Sequence, residues 1–286
     1  MNHSENTLNS SLDAVLYTQS WLPDGPARAI VIIQHGFCEH GGRYAHVAEY
    51  FVSRQYGVYA LDLRGHGQST GKRIYVDLFE RHIEDFSRFV YWVQHRNPNT
   101  PVFVLAHSMG GTIAALWACQ NPPDLAGLIL SSAAVEIIAK TPRFLLALSG
   151  VISRYLPGLP TVRFDNPDAL SRDPVIAERH RRDPYVFRGR IPARSGAELL
   201  KGAALVREHM GMITHPLLIL HGTEDTLTSP NGSRELYERS GSLDKTLRLY
   251  EGLRHEILNE CVRDDILKDV YDWTQKRLAQ KAVSNE

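Results

Sequence analysis

A serine, an acid and a histidine in that chain order can perform acyl transfer if the fold brings them together. This chain of 286 residues offers such a set. The serine is Ser108, within the stretch Pro101 to Pro122. Val102 to Leu105 is an apolar run that reads as a buried strand. Ala106-His107-Ser108-Met109-Gly110-Gly111 follows. Then comes an Ala-rich helix over Thr112 to Gln120, which Asn121-Pro122-Pro123 ends. Strand, tight small-residue turn and helix, with a serine at the tip, is the layout of a nucleophile elbow. So sharp a turn needs small residues two before and two after the serine. Here they are Ala106 and Gly110; glycine is usual at both, and one methyl is the smallest departure.

A serine hydroxyl is a weak nucleophile. It needs a base within hydrogen-bond reach, and the base needs an acid to orient it. The strand Pro216 to Leu220 runs into His221-Gly222-Thr223-Glu224-Asp225. Asp225 is the candidate acid, with Glu224 as the second choice. The strand Thr246 to Tyr250 runs into a loop holding His255, the one histidine after His221. The developing oxyanion needs two donors. One is expected from the backbone N–H of Met109, after the serine. The other is expected from Phe37, whose neighbour Gly36 lets the backbone come close. His35 is expected to hold that loop by a side-chain hydrogen bond.

The elements that must position these residues read as strand, helix, strand, helix. Strands are expected at Ala14–Gln19, Ala29–Gln34, Gly57–Leu61 and Leu125–Leu130. Helices are expected at Tyr44–Arg54, Leu78–Gln94 and, closing the chain, Asp264–Ala279. Such alternation predicts an α/β fold: a mostly parallel central sheet with helices on both faces. Residues 1 to 11 are polar and predict a frayed end without a secretory leader. From about Val135 to Ile213 no clear strand is legible and prolines are frequent. We read residues 135–213 as an inserted, mainly helical cap over the carboxyl ends of the strands, between core segments 1–134 and 214–286.

Composition excludes several classes. Lys+Arg and Asp+Glu are both 32, so nothing favours nucleic acid. Cys38, Cys119 and Cys261 are an odd, widely spaced set, which argues for a reducing, cytoplasmic setting. The longest apolar stretch, Phe144 to Ile152, is too short to span a bilayer. No H-E-x-x-H occurs, and Gly65-His66-Gly67 lacks the spacing of a dinucleotide loop, so neither metal nor cofactor is expected. The alternative from another class is a silent ligand-binding protein on the same fold, marked by a lost triad member; none is lost.

Taken together, the chain resembles serine α/β-hydrolases of the monoacylglycerol lipase and lysophospholipase group over about residues 14 to 275. The likeness rests on His35-Gly36, Glu39-His40, Arg43-Tyr44, the run Asp62 to Ser69, His107 to Gly111, His221-Gly222 with Asp225, and His255-Glu256. It implies the α/β-hydrolase fold and an ester-cleaving serine enzyme. It also implies that Glu39 and Arg43, with His107, lie at the polar, substrate-binding end of the site. A cap tyrosine that contacts glycerol in mammalian relatives has no counterpart here; His180 falls nearest.

The cap suggests the acyl group. Ile137, Ile138, Phe144, Leu145, Leu146, Leu148, Val151, Ile152, Tyr155, Leu156 and Leu159 are more apolar groups than one helix needs. They predict an acyl tunnel, with a mouth rimmed by Lys140, Arg143 and Arg154 resting peripherally on a lipid surface. The expected substrates are single-chain acyl esters: monoacylglycerol first, then lysophospholipid or short synthetic esters.

Overall fold

The computed structural model describes residues 1–10, 14–120, 122, 124–138, 143–163 and 166–284, without the side chains of 143–148 and 281–284. In chain order the strands begin with β1 (Asn2–Asn9), β2 (Val15–Leu22), β3 (Ala29–Gln34), β4 (Tyr56–Leu61), β5 (Val102–His107) and β6 (Gly127–Ser131). They continue with β7 (Pro160–Arg163), β8 (Arg190–Pro192), β9 (Leu217–Gly222) and β10 (Lys245–Tyr250). The helices are α1 (Ala45–Val52), α2 (Phe79–Arg96), α3 (Met109–Ala118), α4 (Arg143–Tyr155), α5 (Pro174–Arg182), α6 (Ala193–His209), α7 (Pro230–Arg239) and α8 (Arg263–Ser284).

Eight strands form one sheet in the order β1-β2-β4-β3-β5-β6-β9-β10. From β4 to β10 every pairing is parallel, and β2 joins β4 antiparallel. The two-residue period of a strand sorts its side chains between two layers. Ile30 and Ile32 of β3, with Val102 and Val104 of β5, pack with Phe79, Phe86 and Phe89 of α2 and Ile113 of α3. Val31, Ile33, Phe103 and Leu105 face the other way, onto Val47 and Phe51 of α1 and Val270 and Trp273 of α8. Both faces are covered, so these strands are apolar throughout. Gly127 of β6 has no Cβ because the Trp273 ring lies where one would point.

Two segments depart from the sequence reading. Residues 2–9, expected to fray, form β1, which pairs antiparallel with β2 from Asn2↔Leu22 to Asn9↔Val15. Its side chains are mostly exposed and polar, so backbone pairing at the sheet edge holds it and no apolar alternation announces it. The segment between β6 and β9, expected to lack strands, contains the short antiparallel pair β7 and β8. The segment also lies over the site: Phe187 N–H donates to Cys38 O at 2.9 Å, and Glu256 N–H donates to Leu170 O at 2.7 Å. Val206 of α6 joins the cluster that holds Phe79 and Ile113.

Candidate active site

Ser108 sits between β5 and α3 with φ 53 and ψ −120. A non-glycine residue at positive φ is strained, and the surrounding packing must hold it there. The small neighbours account for the fit. A Cβ on Gly110 would lie 2.5 Å from the carbonyl oxygen of Gln34, and closer still to that of His35. A Cβ on Gly36 would lie 3.0 Å from Ser108 Cβ. Ala106, the departure from the usual glycine, is a fully buried β5 residue whose methyl joins the core.

The three residues selected by chain order meet here. Ser108 Oγ lies 2.9 Å from His255 Nε2, and His255 Nδ1 lies 2.6 Å from Asp225 Oδ2. All three are buried. Asp225 Oδ1 accepts the backbone N–H groups of Leu227 at 2.8 Å and Thr228 at 3.0 Å. Its Oδ2 also accepts the Thr228 hydroxyl at 2.8 Å and faces His221 Nε2 at 3.0 Å. His221 Nδ1 in turn lies 2.7 Å from Ser233 Oγ. Glu224, the second choice, is exposed, and its backbone N–H bonds Leu253 O.

The electrostatics follow from these contacts. Burial opposes the ionised carboxylate, but His255 and His221 hold Asp225 far below the usual carboxylate range. Burial likewise opposes a charged His255, yet Asp225, then Glu256 and Glu39, raise it above the ordinary imidazole value. The His107 ring lies 4.7 Å from the His255 ring, tilted by 56°, and bonds Ser131 O through Nδ1 at 3.1 Å. Burial, then His255, push it down to about 3, so it stays neutral. A hydroxyl facing an imidazole whose far nitrogen is held by a buried carboxylate can give up its proton as it attacks.

Gly36, Phe37, Cys38, Glu39, Arg43, His107, Ser108, Leu170, His180, His255 and Glu256 surround a cavity of about 20 Å³. Every substrate-side candidate, Glu39, Arg43 and His107, lines it, as does His180. Phe37 reaches it from the loop after β3. Met109 is the first residue of α3, where a backbone N–H has no acceptor within the helix. His35 holds the Phe37 loop: its Nε2 accepts Leu63 N–H at 2.9 Å, and its Nδ1 donates to Gly36 O at 2.7 Å. Sequence reasoning assigned no role to Glu256, Thr228 or a structural His221. Glu256 is adjacent to the candidate base, and that adjacency was the available signal. Among the described residues no group of three or more His, Cys, Asp or Glu is arranged to hold a metal ion.

A mostly parallel sheet covered on both faces, with a serine elbow at the carboxyl end of β5, defines a serine hydrolase of the α/β-hydrolase fold. The model of the family described as serine aminopeptidase, S33, matches residues 25–262, and the chain belongs to that family. It is 37% identical to a monoacylglycerol lipase of Mycolicibacterium smegmatis, over 90% of this chain and 92% of that one. It is 34% identical to a monoglyceride lipase of Mus musculus, over 92% and 88% respectively. The crystal structure of Paleococcus ferrophilus monoacylglycerol lipase superposes with a TM-score of 0.82 at 31% identity, over 92% of this chain and 99% of that one. The chain is thus an enzyme that hydrolyses carboxylic esters.

Proposed function

We propose that the protein cleaves single-chain acyl esters, monoacylglycerol first, through an acyl-enzyme on Ser108. The continuous hydrogen-bonded chain from Ser108 through His255 to Asp225 is the observation that carries this reading. His255 takes the hydroxyl proton while Ser108 Oγ attacks the acyl carbonyl. The N–H groups of Phe37 and Met109 receive the oxyanion. The tetrahedral intermediate collapses as His255 hands its proton to the departing alcohol. Water, activated by the same imidazole, then releases the fatty acid. Asp225 fixes the imidazole tautomer throughout.

Substrate choice follows from the walls. Glu39, Arg43 and His107 form a polar end suited to a small polyol. Residues 135–213 act as a cap that holds one acyl chain. Room for about one water beside Ser108 means that the roof formed by Leu170 and His180 must move to admit the ester. Val151, Tyr155, Leu156 and Leu159 are exposed on the same segment as Arg154, a surface fit for peripheral contact with lipid. The side chains of Phe144, Leu145, Leu146, Leu148 and Arg143, and residue Lys140, lie outside the described residues. Each methylene buried along the chain contributes about 0.8 kcal/mol. The test is kcat/KM for monoacylglycerols of increasing length, beside a triacylglycerol and a lysophosphatidylcholine. A rise with length up to a limit is expected, with triacylglycerol poor. A flat profile or faster triacylglycerol turnover would sink the reading.

A further inference from the structure

Three charged side chains in the cavity wall take no part in the proton relay. Glu39 lies two residues past Phe37. Its Oε1 accepts the backbone N–H of Gly36 at 2.6 Å and the Tyr44 hydroxyl at 2.8 Å. Its Oε2 accepts from Arg43 Nη1 at 2.6 Å. The same Nη1 donates to Glu256 Oε1 at 2.6 Å, and Nη2 donates to Glu256 Oε2 at 2.7 Å. Glu256 follows His255 directly, and its Oε2 also accepts the Asn259 side-chain N–H at 2.9 Å. Arg43 and Glu256 lie 213 residues apart in the chain. The side chains of Arg43, Glu39 and Glu256 are only 9%, 5% and 6% exposed.

One guanidinium therefore joins two loops. Through Glu39 it holds the Gly36 amide, next to that of Phe37. Through Glu256 it holds the backbone beside the base. Burying three charges has a large desolvation cost, and apolar side chains of similar volume would hold two loops together without it. What apolar packing lacks is direction, set by the planar two-pronged contact, and charge. We infer that the Glu39–Arg43–Glu256 bridge is a positioning element for ester hydrolysis: it fixes the separation between the oxyanion loop and His255, and its single net negative charge steadies the imidazolium as Ser108 attacks. This rests on the triad reading above.

His255 faces Asp225 through Nδ1, with the Thr228 hydroxyl 3.3 Å from the same nitrogen and the His107 ring beside it. His221 reaches it through Asp225, and Glu256, Glu39 and Arg43 lie behind. Burial opposes the ionised Glu256, but Arg43 keeps it well below the ordinary carboxylate value. Neutralising Glu256 leaves Arg43 opposed by Glu39 alone, so the proton affinity of His255 falls. Replacing Arg43 by lysine keeps the charge and removes the fork.

The experiment measures kcat and KM for a soluble short-chain ester across pH, per active site titrated with a fluorophosphonate. For Glu256→Gln, kcat is expected to fall roughly ten- to hundred-fold, the cost of a small misplacement, with KM little changed. The acid limb of kcat/KM should also move to lower pH by about half a unit or more. For Arg43→Lys, kcat should fall with the limb unmoved. Wild-type kcat and limb in both variants would overturn the bridge. So would a loss confined to KM, because the test ester carries no polyol head group for Glu39 and Arg43 to hold. Should Glu256→Gln fail to fold, Glu39→Gln removes the charge at the other end and is expected to shift the limb the same way; an unshifted limb there overturns the proposal. Wild-type protein that takes no fluorophosphonate on Ser108 would instead sink the triad reading, and the bridge with it.

Discussion

The Asp225 carboxylate is where the largest number of separate requirements meet. Two backbone amides, one hydroxyl and two imidazoles converge on it. A group so held stays ionised; in the proposed mechanism it keeps His255 in one tautomer, with Nδ1 donating and Nε2 free to accept the Ser108 proton. Ser108→Ala or His255→Ala should lower kcat by roughly 10⁴ to 10⁶ in folded protein. Near-native turnover in Ser108→Ala would refute the assignment. Asp225→Asn should cost on the order of 10² to 10⁴, whereas exposed Glu224→Gln should cost far less. A more damaging Glu224→Gln would reverse the choice of acid. The sign of the pH effect follows as well. In the proposed mechanism the base form of His255 is the active one, and its carboxylate neighbours raise its value. Activity should therefore climb through an acid limb above the ordinary imidazole value of about 6.5. A limb at or below that value would contradict the role given to those neighbours.

Among the elements, the elbow sets the tightest constraint. Gly110 lies against two carbonyl oxygens at the end of β3, neither of which can yield without moving the strand. Gly110→Ala should therefore destabilise the fold by about 1 to 3 kcal/mol in denaturant unfolding, as overpacking does, and lower turnover with it. Wild-type stability and turnover would mean that the elbow is looser than its contacts imply. The same physics explains which elements could be read from sequence. β3, β5, β6 and β9 are buried on both faces, so their apolar runs name them. α2 repeats its apolar residues at helical spacing because one face meets the sheet. The edge strand β1 and the short pair β7 and β8 owe their form to backbone pairing, which composition does not report. α7 carries little apolar signal because only its Gly232, Ser233 and Leu236 are buried, although Ser229 caps it and Pro230 opens it. In the site, strand ends and chain order pointed to Ser108, Asp225 and His255. The Glu256–Arg43 pairing joins distant loops, and no local spacing encodes that.

At the scale of the whole molecule, a row of neutral imidazoles lies behind the Gly36–Phe37 loop. His35 and His66 lie 5.6 Å apart by ring centre, and His66 and His82 lie 6.4 Å apart. All three are buried, and burial lowers each, His66 to about 4. Unfolding frees them to protonate near the ordinary value of about 6.5. Their contribution to stability is thus fully present above that pH and is lost as pH falls toward the folded values. Thermal midpoints should drop steadily from about pH 6.5 to pH 4; a flat profile would contradict this.

Residues 135–213, proposed to act as a cap, give the second prediction at this scale. Among the described residues no helix is long and apolar enough to cross a membrane. The proposed lipid contact rests on the exposed Tyr155 and Leu156. Tyr155→Ser combined with Leu156→Ser should lower turnover of vesicle-borne monoacylglycerol several-fold and spare soluble esters. Equal losses on both would assign these residues to acyl binding or to the fold instead. The most direct measurement is made on the wild-type enzyme turning over a long-chain p-nitrophenyl ester, quenched in acid within the burst and analysed by peptide mass. The expected result is one acyl group, attached to the peptide that holds Ser108 and absent from Ser108→Ala. Ester turnover with no acyl group on Ser108, or with the group elsewhere, would contradict the assignment.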